Sequence, residues 1–333
     1  MITIPEFPKT KTLKSIAVLT SGGDAPGMNA AVRAVVRYGI ANGIEVNGIF
    51  RGYSGLLEGK IEPMQRSSVA NIIQRGGTIL KTDRCPAFLK RSVRKEAANI
   101  LVRKGIGGLV VIGGDGSFTG ASLLERETGF PTVGVPGTID NDIAGTDDTI
   151  GFDTAVNTAV EAIDRIRDTA SSHGRLFLVE VMGRNSGFIA LSTGIGGGAE
   201  TIVVPEAELT LGKITNTISR GIARGKTSSI IVVAEGPKPG LATRIAHGLA
   251  KNGFDPKVCT LGHIQRGGVP TAHDRMLGSV LGAAATAYLA SGKSGGMVGL
   301  RDNEVAFVPY REVIGKKKKL PRIAMSLAEI LAT

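Results

Sequence analysis

The chain has 333 residues, 42% of them hydrophobic and 21% charged, with a formal net charge of +11. This composition is ordinary for a packed globular protein, and the length is sufficient for two α/β lobes. Two cysteines exclude a disulfide framework and indicate a reducing compartment. The positive charge predicts anionic partners. Because aromatic residues are only 4% and tryptophan is absent, phosphorylated metabolites fit better than nucleic acid.

Short β-branched runs alternate with helical patterns along almost the whole chain. Strands are predicted at residues 15–19, 45–50, 109–112, 132–135, 176–181, 201–204, 230–234 and 258–261. Helices are predicted at residues 28–41, 94–104, 118–127, 154–169, 214–223, 244–252 and 275–290. Apolar runs this continuous are typical of strands covered on both faces. The sequence therefore predicts a doubly wound α/β fold with mainly parallel sheets.

Three segments bear on location. Residues 1–14 carry Pro5, Pro8 and several lysines but no apolar core, so they do not resemble a signal peptide. Residues 276–292 are free of charge but too weakly apolar for a membrane span, and we expect a helix that packs closely on a neighbour. The lysines of residues 316–319 are expected to be solvated. We therefore expect a soluble, cytoplasmic protein that binds no membrane.

The first glycine cluster follows the first predicted strand, in the segment TSGGDAPGMN. Gly22 and Gly23 leave backbone N–H groups uncovered just before a helix, where an anion can bind. The segment matches neither the P-loop pattern nor the dinucleotide fingerprint. A tight strand-to-helix turn without a ligand is the alternative interpretation.

The second glycine cluster, GGDGS, follows the predicted strand at residues 109–112. Here uncovered backbone lies beside Asp115, which can hold Mg²⁺ while the glycines wrap a polyphosphate. This pattern indicates a nucleotide kinase more strongly than a simple turn.

The next strand ends in PGTIDND, which places two carboxylates two residues apart. Such a pair is costly unless it binds a cation or transfers protons. Asp140 can accept a hydroxyl proton and Asp142 can support Mg²⁺. An Asn/Asp turn without chemistry is the alternative.

The second half of the chain adds cationic and hydrogen-bonding side chains at strand ends. Arg184 follows the strand at residues 176–181 and can neutralise a transferring phosphoryl group. His263 and Arg266 lie among glycines and suit a sugar phosphate, although a lone histidine is often structural. Glu235 can accept hydrogen bonds from sugar hydroxyls.

Taken in order, the segments TSGGDAPGMNA, GGDGS, PGTIDND, VEVMGR and LGHIQRGG resemble the ATP-dependent 6-phosphofructokinases of the bacterial type. The resemblance covers the chain from about residue 15 to residue 268. It implies transfer of a phosphoryl group from ATP to the 1-hydroxyl of fructose 6-phosphate, giving fructose 1,6-bisphosphate and ADP in glycolysis. It further implies a homotetramer with a larger ATP-binding lobe (residues 1–151 and 264–315) and a smaller sugar-binding lobe (residues 152–263 and 316–333).

The resemblance also implies roles for individual residues. Asp140 would be the base, Thr138 and Arg184 would stabilise the γ-phosphoryl group, and Asp115 with Asp142 would serve Mg²⁺. The implied ATP site is Gly23, Tyr53, Arg84, Cys85, Gly114, Gly116, Ser117 and Gly120. The implied sugar-phosphate site is Thr138, Asp140, Asp142, Arg175 from a neighbouring subunit, Met182, Gly183, Arg184, Glu235, Lys257, His263 and Arg266.

A regulatory site for ADP or phosphoenolpyruvate is implied as well. Its residues would be Arg33, Arg37, Arg66, Arg167, Glu200, Arg224 and Lys226. Arg33 and Arg37 are four apart on one predicted helix, and such a pair needs an acidic partner or an anionic ligand unless both simply face solvent.

Several positions depart from the family's usual pattern. Lys257 stands where the family usually has a second arginine that is borrowed across the subunit interface for the 6-phosphate; lysine keeps the charge but loses the bidentate fork. Leu89 replaces an arginine that often lies near the adenine. In the implied regulatory site Arg224, Asn71 and Ser228 replace Lys, Asp and His. The effector's identity and sign therefore stay open.

Three alternatives remain. Pyrophosphate-dependent relatives typically carry Asp at the position of Gly116 and Lys at that of Gly137, so glycine at both favours ATP. Kinases of lipids or NAD share the Gly-Gly-Asp-Gly loop but lack the TIDND and HIQRGG segments. A catalytically silent sensor is disfavoured because Asp140 and Arg184 are both present.

Overall fold

The computed structural model describes residues 2–3, 6, 13–207, 210–238 and 240–331. The chain divides into two compact units. The first unit comprises Met1–Thr138, Ile143–Asp153 and Arg266–Lys318. The second unit comprises Ile139–Asp142, Thr154–Gln265 and Lys319–Thr333.

Eleven strands form within the described residues. In chain order they are β1 (Ser15–Ser21), β2 (Glu45–Ile49), β3 (Ile61–Met64), β4 (Leu109–Gly113), β5 (Thr132–Pro136), β6 (Leu176–Val181), β7 (Thr201–Val203), β8 (Ser229–Ala234), β9 (Pro256–Thr260), β10 (Gly296–Arg301) and β11 (Glu304–Pro309). The eight predicted strands are all present. Strands β3, β10 and β11 were not predicted.

Ten helices form within the same residues. They are α1 (Met28–Ala41), α2 (Gly52–Leu57), α3 (Arg91–Arg103), α4 (Asp115–Thr128), α5 (Phe152–His173), α6 (Phe188–Gly196), α7 (Leu211–Ala223), α8 (Leu241–Lys251), α9 (Ala272–Ala290) and α10 (Arg322–Leu331). The seven predicted helices are confirmed, and α2, α6 and α10 are additional. Among the described residues, every helix is too short or too polar to span a lipid bilayer.

The first unit is built on a seven-stranded sheet in the order β11-β10-β5-β4-β1-β2-β3. Its inner strands run parallel, whereas β3 and β11 pair antiparallel at the two edges. Every residue of β1, β4 and β5 is buried, because helices cover both faces of these apolar runs. The predicted doubly wound α/β architecture is confirmed.

The second unit contains a four-stranded parallel sheet in the order β7-β8-β6-β9. Leu178, Ile231 and Val233 of this sheet form its core together with Ile214 of α7 and Leu249 of α8.

The predicted solvation of residues 316–319 is also confirmed, since three of the four lysines are exposed and Lys318 is partly exposed.

Helices α1 and α9 approach each other at backbone distance. A Cβ atom placed on Gly278 would lie 2.8 Å from the carbonyl oxygen of Gly27, and one on Gly282 would lie 2.5 Å from that of Ala31. Real Cβ atoms do not approach backbone so closely, so glycine is required at both positions. The expectation that residues 276–292 form a closely packed helix is confirmed.

The mutation Gly282→Ala tests this helix contact. We expect it to destabilise the protein by about 1–3 kcal/mol, the usual cost of overpacking a tight core. Gly212→Ala is the matched control, because Gly212 lies in α7 with nothing within 4 Å of its missing Cβ. That change should be neutral or slightly stabilising. The thermal midpoint followed by circular dichroism measures both, and a Gly282→Ala midpoint equal to the wild type would contradict the packing argument.

Candidate active site

Three segments of the first unit meet at the carboxyl ends of β1, β4 and β5. They are the β1 loop (residues 22–27), the β4 loop (residues 114–118, which include the first turn of α4) and the β5 loop (residues 137–138). Ser117 Oγ donates to the carbonyl oxygen of Ser21 at 3.0 Å, and the Gly137 amide donates to the carbonyl oxygen of Gly113, also at 3.0 Å. A Cβ on Gly113 would lie 2.4 Å from the Ser21 oxygen, so this approach requires glycine. The glycine-bearing loops predicted from the sequence therefore lie side by side.

The converging loops expose backbone at two helix starts. The N-cap residues of α1 and α4 are Gly27 and Gly114, and neither provides a capping side chain. A Cβ on Gly116, in the first turn of α4, would meet nothing within 4 Å. Helix N-termini with uncovered N–H groups attract anions through the helix dipole. This part of the first unit can therefore hold a phosphate chain.

Tyr53 and Gly120, both predicted to line the ATP site, contact each other behind the β4 loop. The Tyr53 hydroxyl donates to the carbonyl oxygen of Ser117 at 2.8 Å, and its ring stacks on Phe88 with centroids 4.0 Å apart. A Cβ on Gly120 would lie 3.1 Å from the Tyr53 ring. Burial is the main cause of the raised pKa of Tyr53. Tyr53 thus supports the loop from within the core.

Arg84 and Cys85 lie on a segment that is tied to the β1 loop. Thr82 Oγ1 donates to the carbonyl oxygen of Gly22 at 2.7 Å. Arg51 donates to Asp83 at 2.7 Å, and the other carboxylate oxygen of Asp83 accepts from the Arg84 amide at 2.9 Å. The hydrogen bond from Arg51 is the main reason why the pKa of Asp83 is lowered. The exposed Arg84 side chain is therefore anchored through its neighbour.

Two further predicted site residues of the first unit are Thr138 and Arg266. The Cβ of Thr138 lies 3.8 Å from the position that a Cβ on Gly114 would occupy. Arg266 donates to the carbonyl oxygen of Asp24 at 3.3 Å, and its Nη1 lies 2.6 Å from where a Cβ on Gly23 would be. Arg266 therefore covers the β1 loop, where a larger residue than Gly23 would displace it.

The carboxylates predicted to serve Mg²⁺ are both exposed. Asp115 is the first residue of α4 in the first unit, and Asp142 belongs to the second unit. No group of three or more His, Cys, Asp or Glu side chains in the described residues could hold a metal ion by itself. Mg²⁺ usually keeps several waters and takes one or two carboxylates plus substrate phosphates, so a solvent-facing carboxylate such as Asp115 fits it as part of a nucleotide complex.

In the second unit, the turn after β6 gathers several predicted residues. The Met182 amide donates to Gln265 Oε1 at 2.8 Å, and the Arg184 amide donates to Glu235 Oε1 at 3.2 Å. Gly183 has φ 142°, and a Cβ there would lie 2.4 Å from the carbonyl oxygen of Ser186. Only glycine fits this sharp turn.

Asp140 is bound to the same turn. Its carbonyl oxygen accepts from Ser186 Oγ at 2.8 Å, and the residue is only 8% exposed. The second unit therefore brings Asp140 together with the turn that carries Met182, Gly183 and Arg184. His263 lies on the 3₁₀ turn Gly262–Arg266, directly after β9.

The structure does not bring Arg175 and Lys257 to this end of the second unit's sheet. Arg175 precedes β6, and Lys257 pairs in register with Phe177 near the start of that strand. The six residues of β6 separate Arg175 from Met182, about 20 Å along the strand. Lys257 forms an exposed ion pair with Asp255 at 2.9 Å. Within one chain, these two cations cannot act with Met182 on one small ligand.

The residues implied for regulation occur in both units. In the first unit, burial and then the charge of Arg37 lower the pKa of Arg33, so both disfavour its charged form. In the second unit, Arg167 donates to the carbonyl oxygen of Gly197 at 2.6 Å, and Lys226 lies 3.6 Å from Glu200. Arg66 and Arg224 are exposed. A cavity of about 1020 Å³ in the second unit is lined by residues that include Glu200, Lys213 and Arg220.

One supporting pair in the first unit was not predicted. Arg94 is buried and donates to both carboxylate oxygens of Glu127, each at 2.7 Å, and to the carbonyl oxygen of Phe88 at 2.6 Å. Phe88 stacks on Tyr53, and Tyr53 donates to the Ser117 carbonyl. The ion pair therefore supports the β4 loop through these two aromatic residues. The two partners are 33 residues apart, so no local pattern identifies them.

Glu127→Gln tests the support that this ion pair provides. The hydrogen bond from Arg94 is the main cause of the lowered pKa of Glu127. Its contribution to stability is therefore complete above the unfolded-state value of about 4.5 and is lost as the pH falls through the lower folded-state value. We expect a lower thermal midpoint for Glu127→Gln at pH 7 and a smaller deficit at pH 3.5.

Glu96→Gln is the control, since Glu96 and Arg103 form an exposed pair that should contribute little. An equal deficit for Glu127→Gln at both pH values would show that the ion pair is not its cause.

Comparisons with known proteins agree along most of the chain. A family described as phosphofructokinase matches residues 15–289. The ATP-dependent 6-phosphofructokinase 1 of Thermus thermophilus is 55% identical over 321 residues, covering 96% of this chain and 100% of that protein. The ATP-dependent 6-phosphofructokinase of a Thermoanaerobacter species is 52% identical over 322 residues, with the same coverage of both chains.

Solved structures give the same fold. The phosphofructokinase of Saccharomyces cerevisiae superposes with a TM-score of 0.84 at 38% identity over 96% of this chain, which spans 46% of the yeast chain. A pyrophosphate-dependent phosphofructokinase from Marinobacter aquaeolei superposes with a TM-score of 0.81 at 22% identity, covering 93% of this chain and 86% of that one. At that identity the second match speaks for the fold alone.

Proposed function

This chain belongs to the phosphofructokinase family, and we propose on that premise that it phosphorylates fructose 6-phosphate at the 1-hydroxyl with ATP as donor. The observation that carries the proposal is the convergence of the β1, β4 and β5 loops beside Asp115 and Thr138. Uncovered backbone, a carboxylate and a hydroxyl in one place provide what a bound triphosphate needs. The two relatives described above, at 55% and 52% identity, are both named for the ATP-dependent reaction.

The space around two glycines favours ATP over pyrophosphate as donor. Gly116 faces open space, which leaves room for the rest of a nucleotide next to the phosphate chain. A Cβ on Gly137 would lie 3.0 Å from Met28 Cε and 3.2 Å from a methyl of Ile112, so a lysine there would need the core to move. Glycine at position 137 thus also has a packing reason that is independent of the donor.

The proposed mechanism assigns one step to each group. Asp140 takes the proton of the sugar 1-hydroxyl as that oxygen bonds to the γ-phosphorus and the bond to the β-phosphate oxygen breaks, releasing ADP. Thr138 and Arg184 donate hydrogen bonds to the γ-phosphoryl oxygens, where charge is concentrated during transfer. Mg²⁺, held by Asp115 and Asp142 together with the nucleotide, would neutralise charge on the phosphates.

We propose that each sugar-phosphate site takes residues from one end of the second unit's sheet in its own chain and from the other end of that sheet in a neighbouring copy. Met182, Gly183, Glu235 and His263 would hold the sugar, with Arg266 contributing as well. Arg175 lies about 20 Å and Lys257 about 16 Å away along the strands, and both would serve the site of a neighbouring copy in the proposed homotetramer. Both cysteines are free thiols, which suits a reducing, cytoplasmic compartment.

The mutation Asp140→Asn tests the role of the proposed base. We expect turnover with ATP and fructose 6-phosphate to fall by about 10²–10⁴-fold, the usual contribution of a general base. Nucleotide affinity, measured by calorimetry, should stay within about twofold because the proposed nucleotide loops are untouched. A coupled assay of ADP release measures turnover, and pyrophosphate replaces ATP in a parallel arm.

Asp164→Asn is the control, since Asp164 is an exposed carboxylate on α5. Unchanged turnover in Asp140→Asn would remove Asp140 from its role. Faster turnover with pyrophosphate than with ATP would refute the proposed donor.

Regulation by ADP or phosphoenolpyruvate is a further proposal, supported by the Arg33–Arg37 pair. Burial and the charge of Arg37 lower the pKa of Arg33, and an anion bound nearby would offset both effects. We expect saturation curves for fructose 6-phosphate to shift in the presence of phosphoenolpyruvate and to become insensitive to it in Arg33→Ala. Curves that superimpose for the wild-type protein would remove the proposal.

A further inference from the structure

The first turn of α9 is bonded to residues 148–153 by three side chains of the first unit. Thr271 Oγ1 donates to Asp153 Oδ2 at 2.5 Å, and the Gly151 amide donates to Asp274 Oδ1 at 2.8 Å. His273 Nε2 lies 3.1 Å from Asp148 Oδ2. Asp274 is completely buried, whereas the side chains of His273 and Asp148 are 40% and 33% exposed.

Residues 149–150 hold the backbone of Thr138 on both sides. Thr149 Oγ1 donates to the carbonyl oxygen of Thr138 at 2.6 Å, and the Thr138 amide donates to the carbonyl oxygen of Ile150 at 3.1 Å. The Ile150 amide in turn donates to the carbonyl oxygen of Pro136 at 2.9 Å. A displacement of residues 148–151 therefore displaces Thr138.

We propose that His273 and Asp148 are positioning residues that fix Thr138 for phosphoryl transfer. This inference rests on the proposed function, in which Thr138 contacts the γ-phosphoryl group. Neither residue touches substrate in this account. They act only through residues 149–151, and small displacements of a positioned group reduce turnover strongly.

The charges around His273 make the pair sensitive to pH. The hydrogen bond with Asp148 is the largest contribution that raises the pKa of His273 above 6.5, and the charges of Asp148, Asp153 and Asp274 add to it, while burial opposes them. The ion pair is therefore complete below the ordinary value and loses its charge as the pH rises through the raised value. Neutral His273 retains only a weaker hydrogen bond to Asp148.

The expected result is a fall in kcat with a midpoint above pH 6.5 on the alkaline side of the wild-type profile. His273→Ala should lower kcat by about tenfold at pH 6.5, while KM for ATP and fructose 6-phosphate changes less than about twofold. His273→Gln keeps a hydrogen-bond donor without a titrating charge. At pH 6.5 its kcat should lie between those of His273→Ala and the wild type, at the level that the wild type reaches once His273 is neutral, and its profile should lack this midpoint.

His247→Ala is the matched control, because His247 is an exposed histidine on α8. Thermal midpoints of all variants are measured alongside, and the pKa of His273 is followed directly through its imidazole proton by NMR. That titration reports on the His273–Asp148 pair without any assay of activity. The pKa of His273 should move towards its ordinary value in Asp148→Asn.

The outcomes separate the two claims. Wild-type protein that transfers no phosphoryl group to fructose 6-phosphate would refute the proposed function, whatever the NMR titration shows. An active wild type with an unchanged kcat in His273→Ala would refute positioning alone. A kcat in His273→Gln no higher than that of His273→Ala, or a loss that appears as a rise in KM, would also refute it.

Discussion

The close approach of β1 to β4 at their carboxyl ends is the constraint on which the rest of the first unit depends. Gly113 permits it, because any side chain there would collide with the carbonyl oxygen of Ser21 at 2.4 Å. Ser117 then bonds that same oxygen and fixes the start of α4 against the β1 loop. The uncovered backbone of two loops is thereby concentrated where an anion can be bound by both.

The second unit also depends on a glycine, here in the turn after β6. The turn after β6 requires glycine at position 183, where φ is 142°. The bond from Ser186 to the Asp140 carbonyl fixes a buried carboxylate to that turn. In the first unit glycine permits two strands to approach closely, whereas here it permits a sharp turn. Both effects follow from the missing Cβ.

Local patterns account for what the sequence predicts well. The parallel strands are continuous apolar runs, and the ligand loops are glycine clusters that follow them. Strand β3 escapes notice because it is a short edge strand that contains Pro63, and α6 because its helix is apolar on most sides and shows little periodicity. The contacts of Arg94 with Glu127 and of His273 with Asp148 join residues 33 and 125 apart, so only the fold reveals them.

Amide hydrogen exchange on the unmodified protein can detect whether the β1 and β4 loops bind a nucleotide together. Exchange is compared with and without Mg²⁺ and a non-hydrolysable ATP analogue, at a concentration that calorimetry shows to be saturating. We expect slower exchange at residues 22–24 and 114–118, with no change in β2 or β3, which serve as the internal reference. An analogue that binds and slows exchange elsewhere, but leaves both of these loops unaffected, would contradict this expectation.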